Sequence, residues 1–301
     1  MNWVTILALN ANHNYNRVNP TAGATYKLTP NLTVYGGYSE ANRAPTPLEL
    51  GCSDPTHPCL IDNALVGDPD LKQVVSHTFE AGLRGRYEID NGLLRWTLGA
   101  FHTLNSDDII NVASPIVGHE FFQNSGDTLR QGIEADLSYK RERWNVYANY
   151  TYIDATFRNA LLLSSPNNPA ADANGEISVA PGDRLTGIPD YRLKIGAEYQ
   201  ITEPWKFGAD LDFIGSQWLV GDESNQNPKV PAYWTLNLHS SYQVTKNFEL
   251  FGLVKNLFNQ HYYVYGTFFE TDSFPYLNLT DPRTFVPGMP LAAYVGARAT
   301  F

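Results

Sequence analysis

Two cysteines, two methionines and a shortage of basic residues set the first limits on this 301-residue chain. Lys and Arg total 21 against 31 Asp and Glu, a formal net charge of −10, and no basic cluster stands out. That balance argues against nucleic acid as a partner. No stretch approaches the roughly 18–20 consecutive apolar residues of a membrane helix. Helical spans are therefore excluded, but a membrane barrel is not, because its strands turn only alternate residues to lipid. The opening Met1-Asn2-Trp3-Val4 lacks the basic start, apolar run and small-residue cleavage site of a secretory leader. Cys52 and Cys59 sit in the turn-rich run Cys-Ser-Asp-Pro-Thr-His-Pro-Cys. A small-loop disulfide is the expected state. A metal site with His57 is short of ligands, and two free thiols are the remaining alternative.

Aromatics, by contrast, are abundant, with 18 Tyr, 15 Phe and 6 Trp. Many fall in segments where apolar and polar residues alternate, the period-two signature of a strand with one oily and one wet face. Eleven such segments are expected: Ala22–Leu28, Leu32–Tyr38, Phe79–Tyr87, Leu94–Ala100, Ile133–Tyr139, Trp144–Tyr152, Leu193–Tyr199, Trp205–Phe213, Trp234–Tyr242, Phe248–Val254 and Leu291–Phe301. Met1–Arg17 could add part of a twelfth. Very short turns rich in Asn, Gly, Pro and charge alternate with long polar connections over 44–72, 105–130, 158–190, 216–229 and 266–290.

Two all-β architectures fit alternating strands, a soluble sandwich and a membrane barrel. Three features favour the barrel. Its regular alternation of short turns and long loops is unusual in compact soluble domains. The apolar faces are interrupted by Gly and Ala, adequate against lipid but poor for a dry core. Aromatics gather at strand ends (Tyr139, Trp144, Tyr152, Tyr199, Trp205, Phe213, Tyr242, Phe248, Phe301), as interfacial girdles require.

Five stretches in order resemble the carboxy-terminal half of a TonB-dependent outer-membrane receptor. They are Leu32–Pro45, Lys72–Gly85, Gln131–Tyr139, Val254–Tyr263 and the terminal Phe301. The resemblance implies an all-β antiparallel transmembrane β-barrel of 22 strands, about 11–12 of them present here, with short periplasmic turns and long extracellular loops. It implies residence in the bacterial outer membrane among its lipids and coupling to the TonB energy-transducing complex through an amino-terminal plug. It implies uptake of a scarce nutrient, foremost a ferric siderophore. The Val254–Tyr263 run corresponds to the family's penultimate strand. The terminal strand ending in Phe301 resembles the signal read by the barrel-assembly machinery. On this reading residues 1–301 are the carboxy-terminal part of the barrel domain, with plug and leader absent. A small passive porin and a lipase-like barrel enzyme are the alternatives.

Under the barrel reading, the polar faces would line a hydrated lumen. The candidates are Glu80, Arg84, Glu134, Asp136, Arg192, Lys194, Glu198, Asp210, Asp212 and Arg298. Ligand contacts in the family come from the loops and upper lumen, which singles out His119, Phe121, Phe122, Trp218, Phe268, Phe269 and Tyr276. Their bland alternative is packing of loop on loop. The seven histidines are scattered without metal-ligand spacing, and no cofactor is expected. His239 beside Ser241 is the best-placed base for the enzyme alternative, but two residues of one strand do not make a triad.

Overall fold

The computed structural model describes residues 13–52, 59–60, 71–114, 116, 119–271, 276 and 278–301. Eleven strands pair into one antiparallel sheet. They are β1 (Thr21–Thr29), β2 (Leu32–Arg43), β3 (Val74–Ile89), β4 (Gly92–Ser106), β5 (Thr128–Arg141), β6 (Trp144–Phe157), β7 (Tyr191–Thr202), β8 (Trp205–Ile214), β9 (Tyr233–Thr245), β10 (Phe248–Lys255) and β11 (Ala292–Ala299). Their order in the sheet is their order in the chain, so each strand neighbours only the one before and the one after. All eleven expected strands are present. Of the possible twelfth, residues 1–12 lie outside the described residues and 13–20 form no strand.

Two of the tight turns, β3–β4 and β5–β6, use residues in a left-handed backbone. Between β3 and β4, Asp90 and Asn91 adopt φ of 51° and 60°, followed by Gly92. This is the hairpin geometry whose twist matches that of the flanking strands. Alternation then fixes the faces. Ile133, Leu137, Ile195, Phe207, Leu250 and Val295 leave one face of the sheet and are 40–88% exposed. Among the described residues no second sheet covers them, which rules out a sandwich core there.

That apolar face is framed by two aromatic rows. Near the short turns lie Tyr139, Trp144, Tyr199, Trp205, Tyr242 and Phe248, with Trp144 and Tyr199 in ring contact at 4.5 Å. Toward the long loops lie Tyr38, Phe79, Tyr152, Tyr191, Phe213 and Trp234, with Tyr38 and Phe79 at 4.7 Å. Beyond the second row the same face turns polar. His102 meets Gln131 at 3.2 Å, Gln131 donates to Asp154 at 3.1 Å, and Arg184 donates to Asp154 at 3.0 Å. Side chains so satisfied belong in water or headgroups, not hydrocarbon, so the apolar band ends there.

The long connections carry structure that periodicity does not reveal. Cys59–Leu60, Ile109–Ala113 and His119–Asn124 form a three-stranded sheet. Leu161–Ser164 pairs with Glu176–Val179, and Tyr263–Phe268 with Arg283–Pro287. The 266–290 connection is therefore partly a hairpin arm. The Val254–Tyr263 run also departs from expectation. Only Val254 and Lys255 belong to β10, and the chain leaves the wall at Asn256, whose φ is 49°. Its side chain ties down the exit, donating to the Gln260 and Met289 carbonyls at 2.9 and 3.0 Å. The last strand ends at Ala299, leaving Phe301 beyond it and fully exposed.

The main buried apolar cluster lies where the upper end of β6 meets the loop layer. Val112, Phe121, Ala155, Phe157, Leu163, Ile177, Val179 and Leu185 pack together there. The wall and the loops are thus two layers held by different forces: a backbone ladder below and a hydrophobic core above.

Candidate lumen and loop-layer site

The strand register carries the polar side chains across the sheet in rows. One unbroken row runs Thr33, Arg84, Thr97, Asp136, Asn149, Lys194, Asp212 and Thr235 from β2 to β9. Because side chains alternate, residues two positions along share that face. Glu80, Glu134, Arg192, Glu198, Asp210 and Arg298 all fall on it, so the ten polar candidates stand together, opposite the apolar band. Arg298 pairs with Glu249 at 3.2 Å.

The densest part of this face spans β6 to β9. Asp210 accepts from the Tyr147 hydroxyl and faces Lys194 Nζ at 3.9 Å and His239 Nδ1 at 3.4 Å. The other His239 nitrogen faces Glu198 at 3.8 Å, and Glu198 faces Lys206 at 3.8 Å. Asn237 donates to Asp212 at 2.8 Å, and Asn149 donates to Asp136. Two glycines make this packing possible. A Cβ at Gly196 would meet the Tyr147 ring, and one at Gly208 would meet His239. With both imidazole nitrogens turned to carboxylates, His239 is not poised as a base on Ser241. Among the described residues, no group of three His, Cys, Asp or Glu side chains is arranged to hold a metal.

Above the wall, the loop candidates divide. Phe121 is buried in the loop core. His119 and Phe122 are half-buried on the same short strand, and the Phe122 amide donates to the Cys52 carbonyl at 2.7 Å. Cys52 is itself buried and disulfide-bonded; the Cys59 side chain and His57 lie outside the described residues. Trp218 lies under Lys229 Nζ at 4.8 Å, a cation–π arrangement. Phe268 rests against Gly221, and the Phe269 amide donates to the Pro282 carbonyl at 2.8 Å. Tyr276 is exposed.

Sequence reasoning missed the polar knot that joins the 158–190 and 216–229 connections. Asp222 is fully buried and accepts from the Gln226 and Asn227 amides at 3.1 and 2.9 Å. It also accepts from the side chains of Asn168 and Asn227 at 3.3 and 2.9 Å. Next to it, Glu223 accepts from Thr186 at 3.0 Å and from the Gly221 amide at 3.1 Å. The run Gly221-Asp-Glu-Ser-Asn-Gln-Asn227 was the available signal: so many short polar side chains in one loop can satisfy each other only by folding inward.

Burial raises the Glu223 carboxyl above its ordinary range, against the opposing pull of its hydrogen bonds. A carboxyl raised in the folded state binds more protons than in the unfolded chain. Its ionisation therefore costs stability as pH climbs through that raised value, and the cost is absent below the unfolded value. Glu223→Gln should accordingly raise the loop-layer melting temperature at pH 8 and leave it unchanged at pH 4. Melting followed by loop-specific proteolysis at both pH values checks this. A loss of stability at pH 8 would contradict it.

Comparison with known proteins places these features. The family described as TonB dependent receptor-like, beta-barrel, matches residues 3–257. The metal-pseudopaline receptor CntO of Pseudomonas aeruginosa is 27% identical over 190 residues, covering 62% of this chain and 24% of that protein. PiuA of Acinetobacter baumannii, named a probable TonB-dependent siderophore receptor, is 25% identical over 269 residues, covering 88% of this chain and 33% of that protein. The crystal structure of the siderophore receptor PiuA from that organism superposes with a TM-score of 0.62 at 20% identity, over 92% of this chain and 35% of the receptor. The chain thus spans about a quarter to a third of the length of the curated relatives it matches. With the family match covering most of its length, the chain belongs to the TonB-dependent receptor-like β-barrel family.

Proposed function

We propose that residues 1–301 supply wall and extracellular loops to an outer-membrane receptor that takes up a ferric siderophore by TonB-driven transport. The observation that carries this reading is the back-to-back arrangement of one sheet: a continuous charged face opposite an uncovered apolar face framed by aromatics. Such a sheet is stable only with lipid on one side and water on the other. The relatives named above are receptors, not enzymes, and no observation favours the porin or lipase alternatives.

In this reading the plug that contacts TonB comes from outside residues 1–301. The ten polar candidates face the lumen, and His119, Phe121, Phe122, Trp218, Phe268, Phe269 and Tyr276 stand in the extracellular layer that first meets ligand. The terminal strand and Phe301 engage the assembly machinery, and the aromatic rows meet the lipid. The test is uptake of 55Fe-loaded siderophores by iron-starved cells with and without the gene encoding this chain. Uptake of at least one chelate that disappears on deletion and on adding a protonophore supports the proposal. Uptake unchanged for every chelate would overturn it.

A further inference from the structure

A recess of about 280 Å³ opens at the rim of the charged face, where β7, β8 and β9 meet the loop layer. Arg192, Ile214, Gln217, Val230, Tyr233 and Tyr263 line it. Resting on the receptor reading above, we propose that this recess holds one arm of the ligand, a single flat ring bearing a carboxylate or an equivalent pair of anionic oxygens.

Charge is the first argument. No Asp or Glu lines the recess, and Arg192 makes no ion pair among the described residues. The neighbouring cations are all engaged: Arg184 with Asp154 and Asp190, Lys229 with Asp190, and Lys194 with Asp210. Lys194 reaches Asp210, its diagonal neighbour across β7 and β8, whereas Asp212, which stands diagonal to Arg192 in the same way, is held by Asn237 at 2.8 Å. An unpaired guanidinium at the mouth of a pocket offers a planar fork that matches two adjacent anionic oxygens.

Shape is the second argument. Drug-sized sites measure roughly 300–1,000 Å³, so this recess suits one ring rather than an entire chelate. Its walls are set before any ligand arrives. Tyr233 is stacked on Tyr262 at 4.2 Å between ring centroids. Gln217 is buried, exchanges two backbone hydrogen bonds with Val230 at 3.2 and 2.8 Å, and donates its amide to the Val264 carbonyl at 2.8 Å. Tyr233, Ile214 and Val230 then offer apolar surface to a ring whose oxygens reach Arg192.

The probe is 2-aminobenzoate, a fluorescent aryl carboxylate, titrated into the full chain in detergent micelles with energy transfer from its tryptophans as readout. Saturable transfer is expected. It should weaken about tenfold or more in Arg192→Gln, the size of one charge-assisted contact. Arg192→Lys should fall between, and Lys246→Gln, in the β9–β10 turn, should match wild type. Heat-modifiable migration of each variant confirms that it folds. No saturable transfer in wild type, undiminished binding in a folded Arg192→Gln, or equal binding of neutral aniline would overturn the proposal. Iron uptake surviving such a result would leave the receptor reading intact. Binding through Arg192 without iron uptake would remove that reading and leave the recess as a site for aryl carboxylates.

Discussion

Gly196→Val should abolish folding of the wall, and adding Tyr147→Ala should restore much of it. The Tyr147 ring crosses from β6 onto the bare backbone of Gly196 on β7 and reaches Asp210 on β8 with its hydroxyl. A branched side chain at 196 occupies the same space as that ring and the Asp210 carboxylate. Overpacking of this kind costs about 1–3 kcal/mol, and stripping Asp210 of its hydroxyl partner adds about 1–3 kcal/mol more. The measurement is the fraction of refolded chain that migrates as a compact, heat-modifiable band in cold electrophoresis. The double variant separates steric conflict from lost strand propensity, because only the former is relieved by removing the ring. A Gly196→Val chain that folds as well as wild type would show that the ring does not depend on the glycine.

The second large effect concerns the loop layer alone. Phe157→Ala should release the 158–190 connection while leaving the wall folded. Phe157 is 1% exposed and sits at the upper end of β6, where its amide donates to the Asp183 carbonyl and its carbonyl accepts from Gly182, both at 2.8 Å. Truncating a buried phenylalanine costs roughly 3–5 kcal/mol through lost burial and the cavity left behind. That loss falls on a layer whose other support is the Asp222 knot and the salt links of Arg184. Hydrogen exchange read by mass spectrometry should show fast exchange across 158–190 in the variant, with unchanged protection in β7 and β8. Equal loss of protection in the wall strands would mean that the two layers fold as one unit.

The wall was legible in the sequence because its physics is local. Each strand declares itself by alternation, and each tight turn by its Asn, Gly, Pro and charged residues, Asp90 and Asn91 accepting a positive φ among them. A membrane barrel even simplifies the reading, since both faces of every strand have a fixed solvent and no second sheet blurs the pattern. The loop layer was not legible because its contacts are distant. Ile177 and Phe121 are far apart in the chain yet share one core, and neither Ile109–Ala113 nor Leu161–Ser164 is long enough to show a period. The burial of Phe121 was hidden for the same reason: an aromatic in a polar connection reads as exposed until its partners are known. Arg192 illustrates the middle ground. Its face could be read from alternation, but its lack of an ion pair depends on what holds its diagonal neighbour Asp212, which Asn237 engages from the next strand.

The most direct test of the two-faced wall is a nitroxide scan along β7 in the full chain reconstituted into lipid vesicles, with the Cys52 disulfide kept intact. Single labelled cysteines at Arg192, Leu193, Lys194, Ile195, Ala197, Glu198 and Tyr199 would be probed with oxygen, which concentrates in lipid, and with a water-soluble nickel chelate. Labels at Leu193, Ile195, Ala197 and Tyr199 should respond to oxygen, and those at Arg192, Lys194 and Glu198 to nickel, with a strict period of two. Nickel accessibility at every position, or no alternation at all, would contradict a sheet with lipid on one face and water on the other.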